Sequence, residues 1–380
     1  MRTMLTGMDV LVAEPPSWLR AGRFGLVTHA AAVDVQGRPS VELLAGAGLR
    51  PALLLTPEHG YWGVAGAGEA VPDARHAEWG LALHSLYGAV RAPADAVLDG
   101  LEGLVVDLQD LGARCYTYLA TLRGVLEAAA RRPLYVVVTD RPIPLPDSMD
   151  GPVTEPGYES FVAPVRVPLA YGMTPAEAAR WMVAVLGLSL DLHTIPMQGY
   201  RRGMARGPGW PEWMPPSPAI TTWESAACYL VTVFTEAFPA LDAGRQGPLA
   251  FRVLGGPGLP AAPLLETLRS ADLPGVRFYT HVFRAGDKVV EGIRIAVSDP
   301  GVFQPATVAV HILAAVRDSV GAEWLWKHPE ARPDFFDRLM GSPVVRRSLE
   351  RGAAAADIVE AWQEGLQRFG DERRSCLLYR

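Results

Sequence analysis

Short apolar runs punctuate the first half of the chain, and each gives way abruptly to polar residues. Phe24–Val27 leads into Thr28 and His29. Ala52–Leu55 leads into Thr56-Pro57-Glu58-His59-Gly60. Leu104–Leu108 carries Asp107 and is followed by Gln109 and Asp110, and Leu134–Thr139 leads into Asp140-Arg141-Pro142. Runs this short and this apolar suit strands covered on both faces. Leu81–Leu86 and Leu190–Ile195 predict two further strands. Helical spacing appears between them, at Ser40–Ala47 and Thr117–Arg131, where Arg114, Tyr118 and Leu122 share one face. A third helix starts at Met173-Thr174-Pro175 and runs to about Leu186. Thr174 serves as its N-cap, Pro175 as its first position and Glu177 as the capping-box partner. Strands alternating with helices predict a mostly parallel sheet.

Parallel strands end on a common edge, so the polar residues after each run gather there. Ligands of open α/β sheets sit beyond the carboxyl ends of the strands. The edge formed by His29, Glu58, His59, Asp107, Gln109, Asp110, Asp140 and Arg141 is therefore the expected site. Tyr61–Pro72, rich in Gly and Ala, reads as a loop over it. Ile143–Glu159, rich in Pro and Gly, reads as a junction or rim, which places one domain at 1–150 and a second at 151–380. In the second, Gln198–Thr222 reads as a long irregular loop and Trp223–Phe238 as a helix. Phe251–Leu254 and Ile293–Val297 read as strands. Pro305–Val316, Phe335–Met340, Pro343–Arg351 and Ala355–Arg368 read as helices.

Composition narrows the function classes. A net charge of −6 argues against nucleic acid or an anionic membrane as partner. Lys288 and Lys327 are the only lysines, and arginine supplies the remaining basic charge. Cys115, Cys228 and Cys376 are odd in number and widely spaced, so neither a disulfide framework nor a metal-type spacing is implied. No apolar run approaches the roughly 18 residues a membrane helix needs. The first residues lack a basic end followed by an apolar core, so a cytoplasmic location is expected, or an extracytoplasmic one with a leader omitted. No Gly-rich phosphate loop with Lys, His-Glu-x-x-His or Gly-x-Ser-x-Gly occurs. No cofactor and no metal are expected.

Glu58 is the first catalytic candidate. Pro57 and Gly60 shape its turn, and the neighbouring aromatics Tyr61 and Trp62 suit a general acid by disfavouring the ionised carboxylate. Asp107 and Asp110 offer the second carboxylate that glycoside hydrolysis uses, or alternatively one of them pairs with Arg114. Arg114 near a helix start suits an anionic group. Asp140-Arg141 reads equally as an internal ion pair. Trp62, Trp210 and Trp213 suit either stacking on sugar faces or packing.

The ordered set Pro57-Glu58-His59-Gly60, Asp107-x-Gln109-Asp110-x-Gly112-x-Arg114-x-Tyr116-Thr117-Tyr118, Asp140-Arg141-Pro142, Gly151-Pro152, Pro168-x-x-Tyr171-Gly172-Met173-Thr174 and Pro216-Ser217-Pro218 resembles the NamZ-type exo-β-N-acetylmuramidases. The resemblance covers nearly the whole chain. It implies a Rossmann-like domain, a smaller C-terminal α/β domain and a cleft between them. It also implies release of N-acetylmuramic acid from the non-reducing ends of peptidoglycan fragments, a small carbohydrate substrate. On it, Glu58 is the catalytic acid, and Asp107 or Asp110 serves as its partner. His59, Gln109, Arg114, Tyr116, Tyr118, Asp140, Arg141 and Arg245 contact substrate, with Arg114, Arg141 and Arg245 as candidates for the lactyl carboxylate. Three positions depart from the family pattern: Ile143 and Ala219 stand where Asn is usual, and Gly247 where Thr is usual. A non-catalytic sugar-binding protein and a metal-dependent hydrolase using His59, Asp107 and His29 are the rival readings.

Overall fold

A computed structural model describes residues 4–380. Seven strands form the first sheet: β1 (Phe24–Thr28), β2 (Leu54–Thr56), β3 (Ala74–Arg75), β4 (Ala82–Ser85), β5 (Gly103–Asp107), β6 (Tyr135–Thr139) and β7 (Asp191–Ile195). Their spatial order is β3-β4-β2-β1-β5-β6-β7. All neighbours are parallel except the short edge strand β3, which runs against β4. Chain direction reverses its spread between β1 and β5, the switch point of a doubly wound sheet. Thr28 pairs with Asp107 across it, and Thr56 pairs with Ser85, so the carboxyl ends do line up on one edge.

The period of two along each strand divides the core. Val27, Leu55, Leu104, Val106, Val136 and Val138 join the larger apolar cluster on one face. The intervening Leu26, Leu54, Val105 and Val137 join a second cluster on the other face, packed with Met8 and Leu44. Helices Tyr118–Ala130 and Pro175–Val185 cover the first face, while Gly7–Ala13 and Ser40–Gly46 cover the second. The Thr174–Glu177 capping box forms as its spacing implied. Helix Pro175–Val185 and β7 complete the first sheet, so this layer continues well past residue 150.

The remaining chain builds a smaller sheet from β8 (Val253–Gly255), β9 (Val276–Ala285) and β10 (Lys288–Val297), ordered β8-β10-β9 and antiparallel. Helix Pro305–Val320 packs against helices Trp223–Thr232 and Ala261–Ser270. The β9–β10 hairpin and helix Ala261–Ser270 are additions to the sequence reading. Gly286-Asp287, with Gly286 at φ 57°, is the hairpin's turn signal. The helix expected over Trp223–Phe238 is α-helical only to Thr232, then tightens into a 3-10 turn over Val233–Ala237.

Candidate active site

Glu58 sits in the turn that follows β2. Pro57 accepts the Gly60 amide at 3.1 Å, and His59 and Gly60 both adopt left-handed backbone, at φ 72° and 73°. That conformation is unfavourable for a histidine and persists because the surroundings fix it. His59 Nδ1 lies 2.8 Å from the Ala65 carbonyl, and the Ala65 amide donates back to His59 at 3.3 Å. This clasp draws the loop of residues 61–72 down over the turn. Glu58 is only 5% exposed. It accepts from the Gly68 amide at 2.8 Å on Oε1 and from the Thr117 hydroxyl at 2.6 Å on Oε2.

Glu58 and His59 line a cavity of about 460 Å³ between the two parts of the chain. The segment after β5 reaches the same cavity, but through Cys115, Tyr116 and Thr117. The buried Tyr116 hydroxyl has no hydrogen-bond partner among the described residues, leaving a donor for a ligand. Ser217, Pro218, Ala219 and Ile220 form another stretch of wall, so the departure at Ala219 falls directly on the cavity.

The acidic residues of the β5 motif do not line it. Asp107 and Arg141 are both fully buried and pair bidentately, at 2.6 and 2.7 Å, with Ser40 also donating to Asp107. A carboxylate without solvent needs such a cation. The pair therefore fills the switch-point end of the sheet, and neither residue reaches the cavity wall. Asp110 accepts from the Tyr171 hydroxyl and the Leu111 amide, and burial pushes its carboxyl up to about 6. Gln109 spends its side-chain amide on the Asp110 and Pro142 carbonyls.

Arg114 is likewise a tie rather than an anion site. It donates to the carbonyls of Pro152, Val167 and Leu339 at 2.7–2.8 Å, and burial lowers its pKa to about 10. Tyr118 donates to the Pro216 carbonyl at 2.8 Å and so positions the Pro-Ser-Pro wall. Asp140 receives the Thr174 hydroxyl, the Ala176 amide and the Tyr379 hydroxyl, and burial raises it to about 7. Trp62, Trp210 and Trp213 are absent from the cavity wall. Its aromatic residues are Tyr87, Tyr116, Phe161, Tyr229, Phe251 and Phe335. His29 accepts the Gln109 amide, and among the described residues no three His, Cys, Asp or Glu side chains converge as metal ligands.

The opposite wall was not foreseen, apart from Arg245. Glu236 projects from the 3-10 turn and pairs with Arg245 at 3.2 Å. Burial raises the Glu236 carboxyl; Arg245 and Arg332 counter the rise and the charge of Glu58 adds to it. Tyr87 is raised too, first by burial and then by Glu58. Arg91 lies 4.4 Å from the Phe161 ring centroid and Arg332 3.9 Å from that of Phe335. Arg91, Arg332 and Arg338 line the cavity without an ion-pair partner among the described residues. The sequence did hold a signal for Glu236: it is a lone acid in the apolar run Tyr229–Phe238.

A Rossmann-ordered sheet joined to a smaller α/β part, with carboxylates and aromatics meeting in a cavity between them, defines a two-part α/β protein with a site suited to a polar ring such as a sugar. Family models for exo-beta-N-acetylmuramidase NamZ match residues 24–224 with the N-terminal part and 227–379 with the C-terminal part. The chain belongs to the NamZ family. It is 30% identical to the peptidoglycan beta-N-acetylmuramidase NamZ of Bacillus subtilis (strain 168), across 98% of this chain and 91% of that one. A solved DUF1343 family protein from Bacteroides fragilis superposes with a TM-score of 0.92 at 27% identity, covering 100% of this chain and 99% of that one. A second from the same organism, at 22% identity and a TM-score of 0.78 over the same shares, has the same fold.

Proposed function

We propose that the chain releases N-acetylmuramic acid from the non-reducing ends of peptidoglycan fragments, with Glu58 as the general acid. The carrying observation is the charge of the cavity. Two glutamates face four arginines, Arg91, Arg245, Arg332 and Arg338, in a protein whose net charge is −6. An excess of guanidinium there favours an anionic sugar, and the lactyl ether of N-acetylmuramic acid supplies a carboxylate that N-acetylglucosamine lacks. Aromatic walls suit the apolar faces of a pyranose. The Thr117 hydroxyl, free to rotate, donates to Glu58 as a carboxylate and accepts from it as an acid, which fits a group that cycles a proton. Membership in the family and the name of the Bacillus relative support the same substrate. The finer assignment to Glu58 rests on its position in the cavity.

The test uses paired aryl glycosides of N-acetylmuramic acid and N-acetylglucosamine, with mass spectrometry of products from defined muropeptide disaccharides. Selective release of N-acetylmuramic acid is expected. Glu58→Gln should lower kcat by roughly 10²–10⁴-fold. Equal turnover of the two sugars, or an unimpaired Glu58→Gln enzyme, would refute the proposal.

A further inference from the structure

Glycoside hydrolysis calls on a second carboxyl group, and the motif that promised one withholds it: Asp107 is locked to Arg141 and Asp110 to Tyr171. Among the described residues lining the cavity, Glu58 and Glu236 are the only carboxylates. They belong to different parts of the chain, Glu58 to the turn after β2 and Glu236 to the 3-10 turn after helix Trp223–Thr232. We propose that Glu236 is the second catalytic residue, presenting negative charge to the anomeric carbon while Glu58 serves the leaving oxygen. The assignment rests on the glycosidase reading above.

Local geometry supports this role. The Glu236 side chain is 23% exposed, withdrawn from bulk solvent yet open to the cavity. Its ion-pair partner Arg245 also lines the cavity and packs 5.5 Å from the Phe251 ring centroid. Phe251 takes up a left-handed backbone, φ 62°, fixed by the Thr232 hydroxyl on its carbonyl and by its own amide on Ala243. Of the three non-glycine residues with positive φ among the described residues, two line this cavity: His59 beside Glu58, and Phe251 beneath the partner of Glu236. Backbone strain of this kind clusters where side chains must be held in one orientation. Arg245 aims the Glu236 carboxyl at 3.2 Å and offsets part of the rise that burial imposes on it, which favours the charged form a residue facing developing positive charge uses.

The chemistry balances. As the C1–O bond breaks, its electron pair goes to the leaving oxygen, which takes the proton of Glu58. Positive charge grows on C1 and the ring oxygen, opposite Glu236. Water then bonds to C1 through oxygen, and the proton it releases is returned to Glu58. Nothing is oxidised or reduced, and one water is consumed per glycosidic bond.

The experiment compares wild type, Glu58→Gln, Glu236→Gln and Arg245→Met on a muramyl disaccharide and on nitrophenyl and dinitrophenyl muramyl glycosides. Thermal melting verifies that each variant is folded. Glu236→Gln should lose roughly 10²–10⁴-fold in kcat on all three substrates, with KM changed only a few-fold, because a better leaving group cannot replace charge at C1. Glu58→Gln should recover most of its rate on the dinitrophenyl glycoside, which departs without a proton. Arg245→Met, a positioning change, should lose less than Glu236→Gln. A Glu236→Gln kcat within tenfold of wild type overturns the assignment, and so does recovery of its loss by the dinitrophenyl group. A wild type inert on all three substrates overturns the proposed function itself, and this assignment with it.

Discussion

Arg141→Met is the sharpest test of why the β5 motif is not a catalytic dyad. Arg141 and Asp107 are 0% exposed and meet through two hydrogen bonds of 2.6 and 2.7 Å, and Arg141 also donates to the Val33 carbonyl at 2.6 Å. Methionine fills much of the same volume but leaves the Asp107 carboxylate buried without a cation. Breaking a buried pair from one side costs roughly 3–5 kcal/mol. At about 2.1 cal/mol/K of unfolding entropy per residue, a 380-residue chain shifts by roughly 1.2 °C per kcal/mol, so the melting temperature should drop by about 4–6 °C. The double variant Arg141→Met with Asp107→Leu removes both charges and should regain most of that loss. Calorimetry and urea titration of the four proteins close a double-mutant cycle. Activity per folded molecule reports separately on catalysis and should stay within about threefold of wild type, since neither group touches the cavity. A single variant as stable as wild type, or a double variant whose losses simply add, would refute the reasoning. A folded but inactive Asp107→Leu protein would return Asp107 to the catalytic set.

Two further outcomes follow from the same environment. Asp140 is neutral in the folded protein up to about pH 7, whereas an unfolded aspartate ionises near 3.8. Its contribution is therefore fully present below pH 3.8 and lost as pH rises through 7, a change of about 4 kcal/mol across the window. Melting curves of Asp140→Asn between pH 5 and 8 should be flatter than those of wild type; parallel curves would contradict the assignment. Thr117→Val deletes the hydroxyl that holds Glu58, a hydrogen bond worth roughly 0.5–1.5 kcal/mol, so kcat should fall by roughly 2–10-fold with KM nearly unchanged. A change in KM alone would make Thr117 a binding residue rather than a support for Glu58.

The layered sheet was readable because its central strands β1, β2, β5 and β6 are short, mostly apolar and buried, with helices between them. A buried parallel strand has no solvated face to confuse the pattern. Glu58 was readable because Pro57 and Gly60 frame it. Strand-end position marked Asp107, Asp140 and Arg141 as polar and inward, but it cannot distinguish a side chain facing a ligand from one facing another side chain. That choice depends on which partners β6 and helix Pro175–Val185 bring near, and these lie more than 30 residues away. Arg114 misled for a similar reason, since its acceptors are main-chain carbonyls that no side-chain pattern records. Glu236 was legible as a polar residue in an apolar run. Its destination depends on the tightening of the helix after Thr232, which follows from tertiary packing.

The Tyr379 hydroxyl closes the cap on Asp140 from 239 positions downstream. On a ribosome the first sheet emerges long before that hydroxyl does. Vectorial folding can therefore assemble the strands early and still leave one interior acid short of a donor. Final consolidation of that layer waits for a side chain synthesised 239 positions later, which couples the folding of the earlier part to the arrival of the later one.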